Sequence, residues 1–158
     1  LMQIMPSTGR LIARQYKLSY SVNKLTADPK YNVMLGAAHL GDLIDNFKGS
    51  YILTFVGYNA GPRRAFDWMK ENGDPRLKHV DAVDWIESIP FTETRKYVQK
   101  VMQNIHVYRS RMKARKHYGM TADLKRGGST KFQATGTGAR ALTCGGAAGS
   151  IGDLVNDC

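Results

Sequence analysis

The chain has 158 residues, which is enough to bury a hydrophobic core without help from a metal ion or an oligomer. Its formal net charge of +10 favours an anionic partner, which could be nucleic acid, an anionic membrane surface or an acidic cell-wall polymer. No apolar run approaches the roughly 20 residues that a membrane-spanning helix needs.

The first part of the chain predicts two helices separated by a polar loop. Pro6 is placed for a first helical turn, so a helix is expected over residues 6–16. A loop is predicted for residues 19–23. Asp28 followed by proline predicts an N-cap and a helix over residues 28–48. The predicted buried stripe of this second helix consists of Val33, Ala37, Leu40, Ile44 and Phe47.

Four further helices are predicted between residues 50 and 112. Ser50 is the expected cap of a mostly apolar helix that stops at Asn59–Pro62, and a shorter helix follows over residues 63–72. A brief helix ending at Glu87 precedes a break at Pro90 and then the longest helix. The predicted buried stripe of the longest helix consists of Val98, Val101, Ile105, Tyr108 and Met112. Residues 1–116 contain no convincing strand, which indicates an all-α fold.

Small and polar residues dominate from about Gly119 onwards. This composition predicts a linker or a disordered tail, so the expected division is a helical domain over residues 1–116 and a poorly ordered tail over 117–158. The two cysteines, Cys144 and Cys158, both lie in that tail, so the helical domain is expected to fold without a disulfide.

Two short strings combine helix-breaking residues with side chains suited to a sugar site. In the opening string Leu1–Pro6, the Gln3 amide both donates and accepts hydrogen bonds, and the Met5 thioether can pack on a sugar face. In the string Gly57–Pro62, the helix break leaves the Tyr58 hydroxyl directed away from the helix interior. The alternatives are that the methionines belong to the core and that Tyr58 lies half-buried at a helix corner.

A third string, Glu87–Val98, places a carboxylate before a proline break. Glu87 follows two apolar residues and could line a cleft wall, although a solvated Glu87 is the alternative. Glu93 lies in the first turn of the longest helix, where the dipole favours a negative charge, so its role is expected to be structural. Arg95 could pair with either carboxylate and is expected to hold the loop against the helix.

Other kinds of chemistry have little support in the sequence. The four histidines lack a metal-ligand spacing, and there is no glycine-rich phosphate loop, so neither a metal ion nor a cofactor is expected. The basic cluster over residues 109–116 is interpreted as a solvated helix face.

Taken together, the three strings resemble the soluble lytic transglycosylase family. Residues 25–40 are similar to the helix that precedes the tyrosine string in that family, and the likeness extends over about residues 1–112. The resemblance implies a lysozyme-like helical domain that cleaves the β-1,4 bond between N-acetylmuramic acid and N-acetylglucosamine of peptidoglycan. It also implies that one glutamic acid protonates the glycosidic oxygen and then removes the proton of the C6 hydroxyl, forming a 1,6-anhydro ring.

The resemblance also assigns roles to residues of this chain. It implies that the substrate-binding residues are Gln3, Met5, Tyr58, Asn59 and Glu87. The family's catalytic glutamate, in a Glu-Ser pair before the first string, would lie upstream of Leu1. We therefore expect a lysozyme-like domain without its first helices, with no catalytic residue in this chain and no lytic activity of the fragment by itself.

The remaining expectations concern partners and location. The resemblance implies that the partner is the peptidoglycan glycan strand in the periplasm or cell envelope, bound by a monomer, with no nucleic acid. Membrane association stays open but is not encoded in these residues. Two alternatives stay open: a non-catalytic glycan-binding module, and a basic helical domain that binds nucleic acid through the cluster over residues 109–116.

Overall fold

The structure is a computed structural model, and it describes residues 1–112 and 119–128. These residues form eight helices and no strand, which confirms the predicted all-α class. The helices are α1 (Pro6–Gln15), α2 (Val22–Ala27), α3 (Pro29–Asn46), α4 (Tyr51–Ala60), α5 (Pro62–Asn72), α6 (Ala82–Glu87), α7 (Thr92–Arg111) and α8 (Met120–Leu124). The described residues fall into two compact units, one of residues 1–42 and one of residues 43–112 and 119–128.

The first unit packs α1 and α2 against the beginning of α3. Its buried cluster consists of Ile12, Leu25, Leu35 and Ala38. The loop predicted over residues 19–23 is too long, because Ser21 already caps α2 by accepting a hydrogen bond of 3.3 Å from the Lys24 backbone N–H. Asn32 is buried and fixes the chain start: its Oδ1 accepts from Met2 N at 2.8 Å, while its Nδ2 donates to Leu25 O at 2.9 Å.

The second unit is built around α4. Ser50 caps this helix as predicted, and every residue from Ile52 to Gly57 is buried. Gly57 is required by its surroundings, because a Cβ there would lie 2.8 Å from the ring of Phe47. Helices α5 and α7 pack against α4, so the apolar helix is the centre of this unit.

The predicted stripe of α3 is only partly correct. Phe47, just beyond the helix, is buried as predicted, whereas the other four stripe positions are half-buried. The fully buried apolar positions of α3 are instead Leu35, Ala38 and Leu43. Because α3 carries apolar residues around most of its circumference, periodicity alone could not select the buried side.

Residues 119–128 contradict the prediction that a linker begins near Gly119. They form α8 and the turn after it, and Asp123 is 1% exposed. Its carboxylate accepts a hydrogen bond of 2.5 Å from Arg109 and lies 3.3 Å from His106 Nε2. Arg109 is therefore not part of a solvated face, as the sequence had suggested, but pairs with a buried carboxylate.

The turn that follows α8 is also closely packed. The Lys125 ammonium donates to the backbone carbonyls of Pro75, Leu77 and Val80. A Cβ on Gly127 would lie 2.7 Å from Lys48 O, so only glycine fits there. The remaining part of the predicted tail, with both cysteines, lies outside the described residues.

Two properties of the described helices bear on possible partners. None of these helices is both long enough and apolar enough to cross a membrane. Over residues 1–112 and 119–128, histidine, aspartate and glutamate side chains form no group of three that could hold a metal ion.

Candidate functional site

Gln3 lies at the wall of a cavity in the first unit. The residue has a positive φ of 52° and is exposed. The cavity has a volume of about 340 Å³, and its lining residues are Leu1, Gln3, Ile4, Pro6, Leu25, Thr26, Asp28, Pro29 and Asn32. Two of the polar lining residues make hydrogen bonds that stabilise the local backbone. Asn32 accepts from the backbone N–H of Met2 at 2.8 Å, and Asp28 accepts from that of Lys30 at 2.9 Å. The two exposed polar residues of this wall are Gln3 and Thr26, and the Thr26 hydroxyl already donates to backbone carbonyls within α2.

Met5 and Met2 differ in their environments. Met5 is 66% exposed and occupies the N-cap position of α1, so it does not belong to the core. Met2 is half-buried, and its side chain lies within 3 Å of where a Cβ on Gly36 would be. The alternative that the methionines belong to the core therefore agrees with the position of Met2 but is wrong for Met5.

Tyr58 lies in the last turn of α4 next to Tyr97 of α7. Burial, with a contribution from Tyr97, raises the pKa of Tyr58 to about 12. Burial also raises the pKa of Tyr97. Tyrosine phenols are protonated at neutral pH in any case, and each hydroxyl can donate one hydrogen bond and accept others.

Asn59 connects the end of α4 to the beginning of α7. Its Oδ1 accepts a hydrogen bond of 2.7 Å from the hydroxyl of Thr94, which is buried. The helix ends at Ala60; Gly61 follows with a φ of 93°, which suits glycine, and Pro62 begins α5. The predicted break thus holds Tyr58 and Asn59 against the first two turns of α7.

Glu87 is the last residue of α6, and its side chain is 57% exposed. Gln99 Nε2 donates to its Oε1 at 2.5 Å, and the Arg95 Nε lies 3.9 Å from its Oε2. Arg95 also donates to the backbone carbonyls of Glu87 and Ile89, at 3.2 and 2.9 Å. The prediction that Arg95 holds the loop against the helix is confirmed.

The second and third strings meet on α7. Tyr58 and Asn59 approach it at Tyr97 and Thr94, whereas Glu87 approaches it at Arg95 and Gln99. Sequence reasoning missed Gln99 and Tyr97. The signal for Gln99 is its position four residues after Arg95, which places both side chains on one side of a helix. Gln3 and Met5 belong to the first unit.

None of the three glutamates has the environment of a glycosidic general acid. Glu71, Glu87 and Glu93 are the only glutamates of the chain, and all three are exposed. A carboxylic acid that remains protonated near neutral pH needs an apolar, desolvated pocket. The geometry therefore favours binding through exposed polar groups over proton transfer by one of these residues.

Comparisons with known proteins place the chain in a family. The Transglycosylase SLT domain family matches residues 1–80, and the Soluble lytic transglycosylase helical domain matches residues 88–117. The soluble lytic murein transglycosylase of Escherichia coli K12 is 36% identical over 110 residues, which are 69% of this chain and 16% of that protein. A putative soluble lytic murein transglycosylase of Haemophilus influenzae is 39% identical over 103 residues, which are 65% of this chain and 16% of that protein.

A solved structure agrees with these sequence relatives. The X-ray structure of an inactive mutant of the lytic transglycosylase Slt from Pseudomonas aeruginosa is similar, with a TM-score of 0.64 and 37% identity. The match covers 72% of this chain and 18% of that one, so the chain spans a small part of each relative. The helical, lysozyme-like fold and the family resemblance predicted from the three strings are both confirmed. The chain belongs to the Transglycosylase SLT domain family.

Proposed function

We propose that this chain is the glycan-binding part of a lytic transglycosylase acting on peptidoglycan in the cell envelope. The reaction is cleavage of the β-1,4 bond between N-acetylmuramic acid and N-acetylglucosamine with formation of a 1,6-anhydro ring. Support comes from the family match over residues 1–80 and from relatives named as murein transglycosylases. Such relatives are bacterial, which is consistent with action on the cell wall and with a periplasmic location.

The proposal is based on a set of polar side chains that contact the first two turns of α7. In our proposal Glu87 accepts hydrogen bonds from the sugar, and Gln99 and Arg95 hold its carboxylate in a fixed orientation. Tyr58 contributes a protonated phenol, consistent with its raised pKa. Asn59 is held by Thr94 through its Oδ1, which leaves its amide N–H groups for the ligand.

Gln3 and Met5 are two further proposed substrate contacts, and both belong to the first unit. Both are exposed, and neither is needed to fill the core of the first unit. The Gln3 amide is suited to the polar edge of a sugar, such as an N-acetyl group, and the Met5 side chain to an apolar sugar face.

The catalytic acid, in our proposal, is a glutamate other than Glu71, Glu87 and Glu93. All three are exposed, which does not suit a group that must be protonated near neutral pH. The inactive Pseudomonas aeruginosa Slt carries a glutamine in place of a glutamate, which supports the importance of one glutamate in that relative. The 158-residue chain is therefore expected to bind glycan strands without cleaving them.

Binding and cleavage are tested separately. Stem-free glycan strands are titrated into the chain by calorimetry, and anhydromuropeptide release from peptidoglycan is followed by chromatography. Glu87→Gln and Tyr58→Phe should weaken binding about tenfold, since a lost hydrogen bond to a charged or desolvated group is worth about 1.5 kcal/mol. The matched control Glu71→Gln, on α5, should bind as the parent does. Equal loss in the control, or anhydromuropeptide release by the parent chain, would contradict the assignment.

A further inference from the structure

The positive charge of the chain is concentrated in one segment. Residues 95–126 contain ten of the 23 lysines and arginines but only one of the 13 acidic residues, Asp123. This fifth of the sequence therefore accounts for nine of the ten excess positive charges. Asp123 is buried and pairs with Arg109 at 2.5 Å and with Arg126 at 4.0 Å, so Arg109 is the one arginine of α7 that it neutralises.

Part of this charge forms a straight row along α7. Every member of the row is exposed and lies on the side of the helix opposite to the buried Val98 and Met102, and the members are Lys96, Lys100, Gln103, Val107 and Arg111. We call this row the α7 stripe. Its cations span about 22 Å at 1.5 Å per residue. Among the described residues, no carboxylate lies within 4.0 Å of Lys96, Lys100 or Arg111.

The stripe begins beside the proposed substrate contact at Glu87. Arg95 and Gln99 are the two residues that contact the Glu87 carboxylate. The first two cations of the stripe are the next residues in the chain, Lys96 after Arg95 and Lys100 after Gln99. Consecutive helical residues are rotated by about 100°, so these ammonium groups lie one step around the helix from the residues that hold the carboxylate. A ligand that contacts Glu87 therefore has Lys96 and Lys100 close by.

We propose that the α7 stripe binds the carboxylates of the peptide stems that project from the glycan strand. This inference rests on the proposed function and names the part of the substrate that the stripe recognises. A glycan strand carries stem carboxylates at intervals, and unpaired ammonium and guanidinium groups form charge-assisted hydrogen bonds with carboxylates. The sugars are bound through neutral and acidic side chains, whereas the stems are bound through cations.

The test compares strands with and without stems. Binding of the full 158-residue chain is measured on glycan strands that carry peptide stems and on the same strands after an amidase has removed them. The stripe variant combines Lys96→Gln, Lys100→Gln and Arg111→Gln. The matched control combines Lys70→Gln, Lys78→Gln and Arg14→Gln, which removes the same number of exposed lysines and arginines elsewhere.

The parent should prefer stem-bearing strands about tenfold at low salt, as expected for three exposed ion pairs of modest strength. Salt of about 1 M should abolish this preference by screening. The stripe variant should lose the preference while binding stem-free strands as the parent does, and the control should keep it. A preference that survives in the stripe variant, or that disappears equally in the control, would overturn the inference.

Failure of the underlying function gives a different result. If the parent does not bind stem-free strands, the proposed glycan site is wrong whatever the stripe does. A parallel titration with duplex DNA covers the nucleic-acid alternative. Salt-dependent DNA binding that the stripe variant loses, with no preference for stems in the parent, would assign the stripe to nucleic acid and overturn our inference.

Discussion

Substitution of Asp123 tests whether residues 119–128 are part of the folded unit. Asp123→Ala removes a carboxylate that is 1% exposed and leaves the Arg109 guanidinium without its counter-ion. Breaking a buried ion pair on one side costs about 3–5 kcal/mol. The cost should be smaller here, because the Arg109 side chain is 18% exposed and still donates to the Tyr51 hydroxyl at 3.1 Å. We expect a loss of about 2–3 kcal/mol.

The loss cannot exceed the free energy that docks α8, because the variant can release this segment and remain folded elsewhere. Urea unfolding should therefore be combined with hydrogen exchange at the α8 amides. A double variant, Arg109→Met with Asp123→Leu, should be more stable than Asp123→Ala, since it buries no unpaired charge. A loss below about 0.5 kcal/mol for Asp123→Ala, the range of exposed ion pairs, would refute the buried arrangement.

Three further predictions concern stability. Gly57→Ala should destabilise by about 1–3 kcal/mol because its Cβ would lie 2.8 Å from a buried phenylalanine ring. Gly36→Ala should destabilise less, because only the flexible Met2 side chain must move. Equal losses of stability in the two variants, measured by thermal unfolding, would contradict this. Burial alone would raise the pKa of Asp74, but the hydrogen bonds and the positive charge of Arg76 outweigh it and lower the pKa. Stability should thus fall as the pH drops below about 4 towards that lowered value, and Asp74→Asn should flatten the fall in urea titrations. If the free energy of unfolding of Asp74→Asn falls with acid as steeply as that of the parent, Asp74 makes no such contribution. Tyr58, with its pKa of about 12, should make stability fall as the pH rises from about 10 through that value. Tyr58→Phe should reduce the alkaline fall, and an identical profile would show that the phenol is solvated.

Local signals in the sequence predicted much of the helical framework. Ser50 caps α4 and Pro6 begins α1, as their chemistry indicates. These features depend on a few neighbouring residues, so they can be recognised without knowing the rest of the fold. Ser21, which caps the missed helix α2, shows the limit of the approach, because a six-residue helix carries little periodicity.

Features that depend on distant residues were harder to predict. Tyr108 was placed in the buried stripe of α7 but is 62% exposed, since the core beside α7 does not extend that far along the helix. The burial of Asp123 depends on Arg109, and the close packing of Gly127 depends on Lys48, neither of which periodicity reveals. At the candidate site, Glu87 and Tyr58 were predicted from the sequence. Gln99 has a sequence signal in its spacing from Arg95, whereas Tyr97 is evident only from its contact with Tyr58.

The proposed glycan site is tested most directly by calorimetric titration of the 158-residue chain with stem-free glycan strands, together with analysis of the strands for 1,6-anhydro ends. We expect saturable binding that Glu87→Gln weakens about tenfold, with no new anhydro ends. No saturable binding, or binding that is insensitive to Glu87→Gln, would contradict the proposed glycan site.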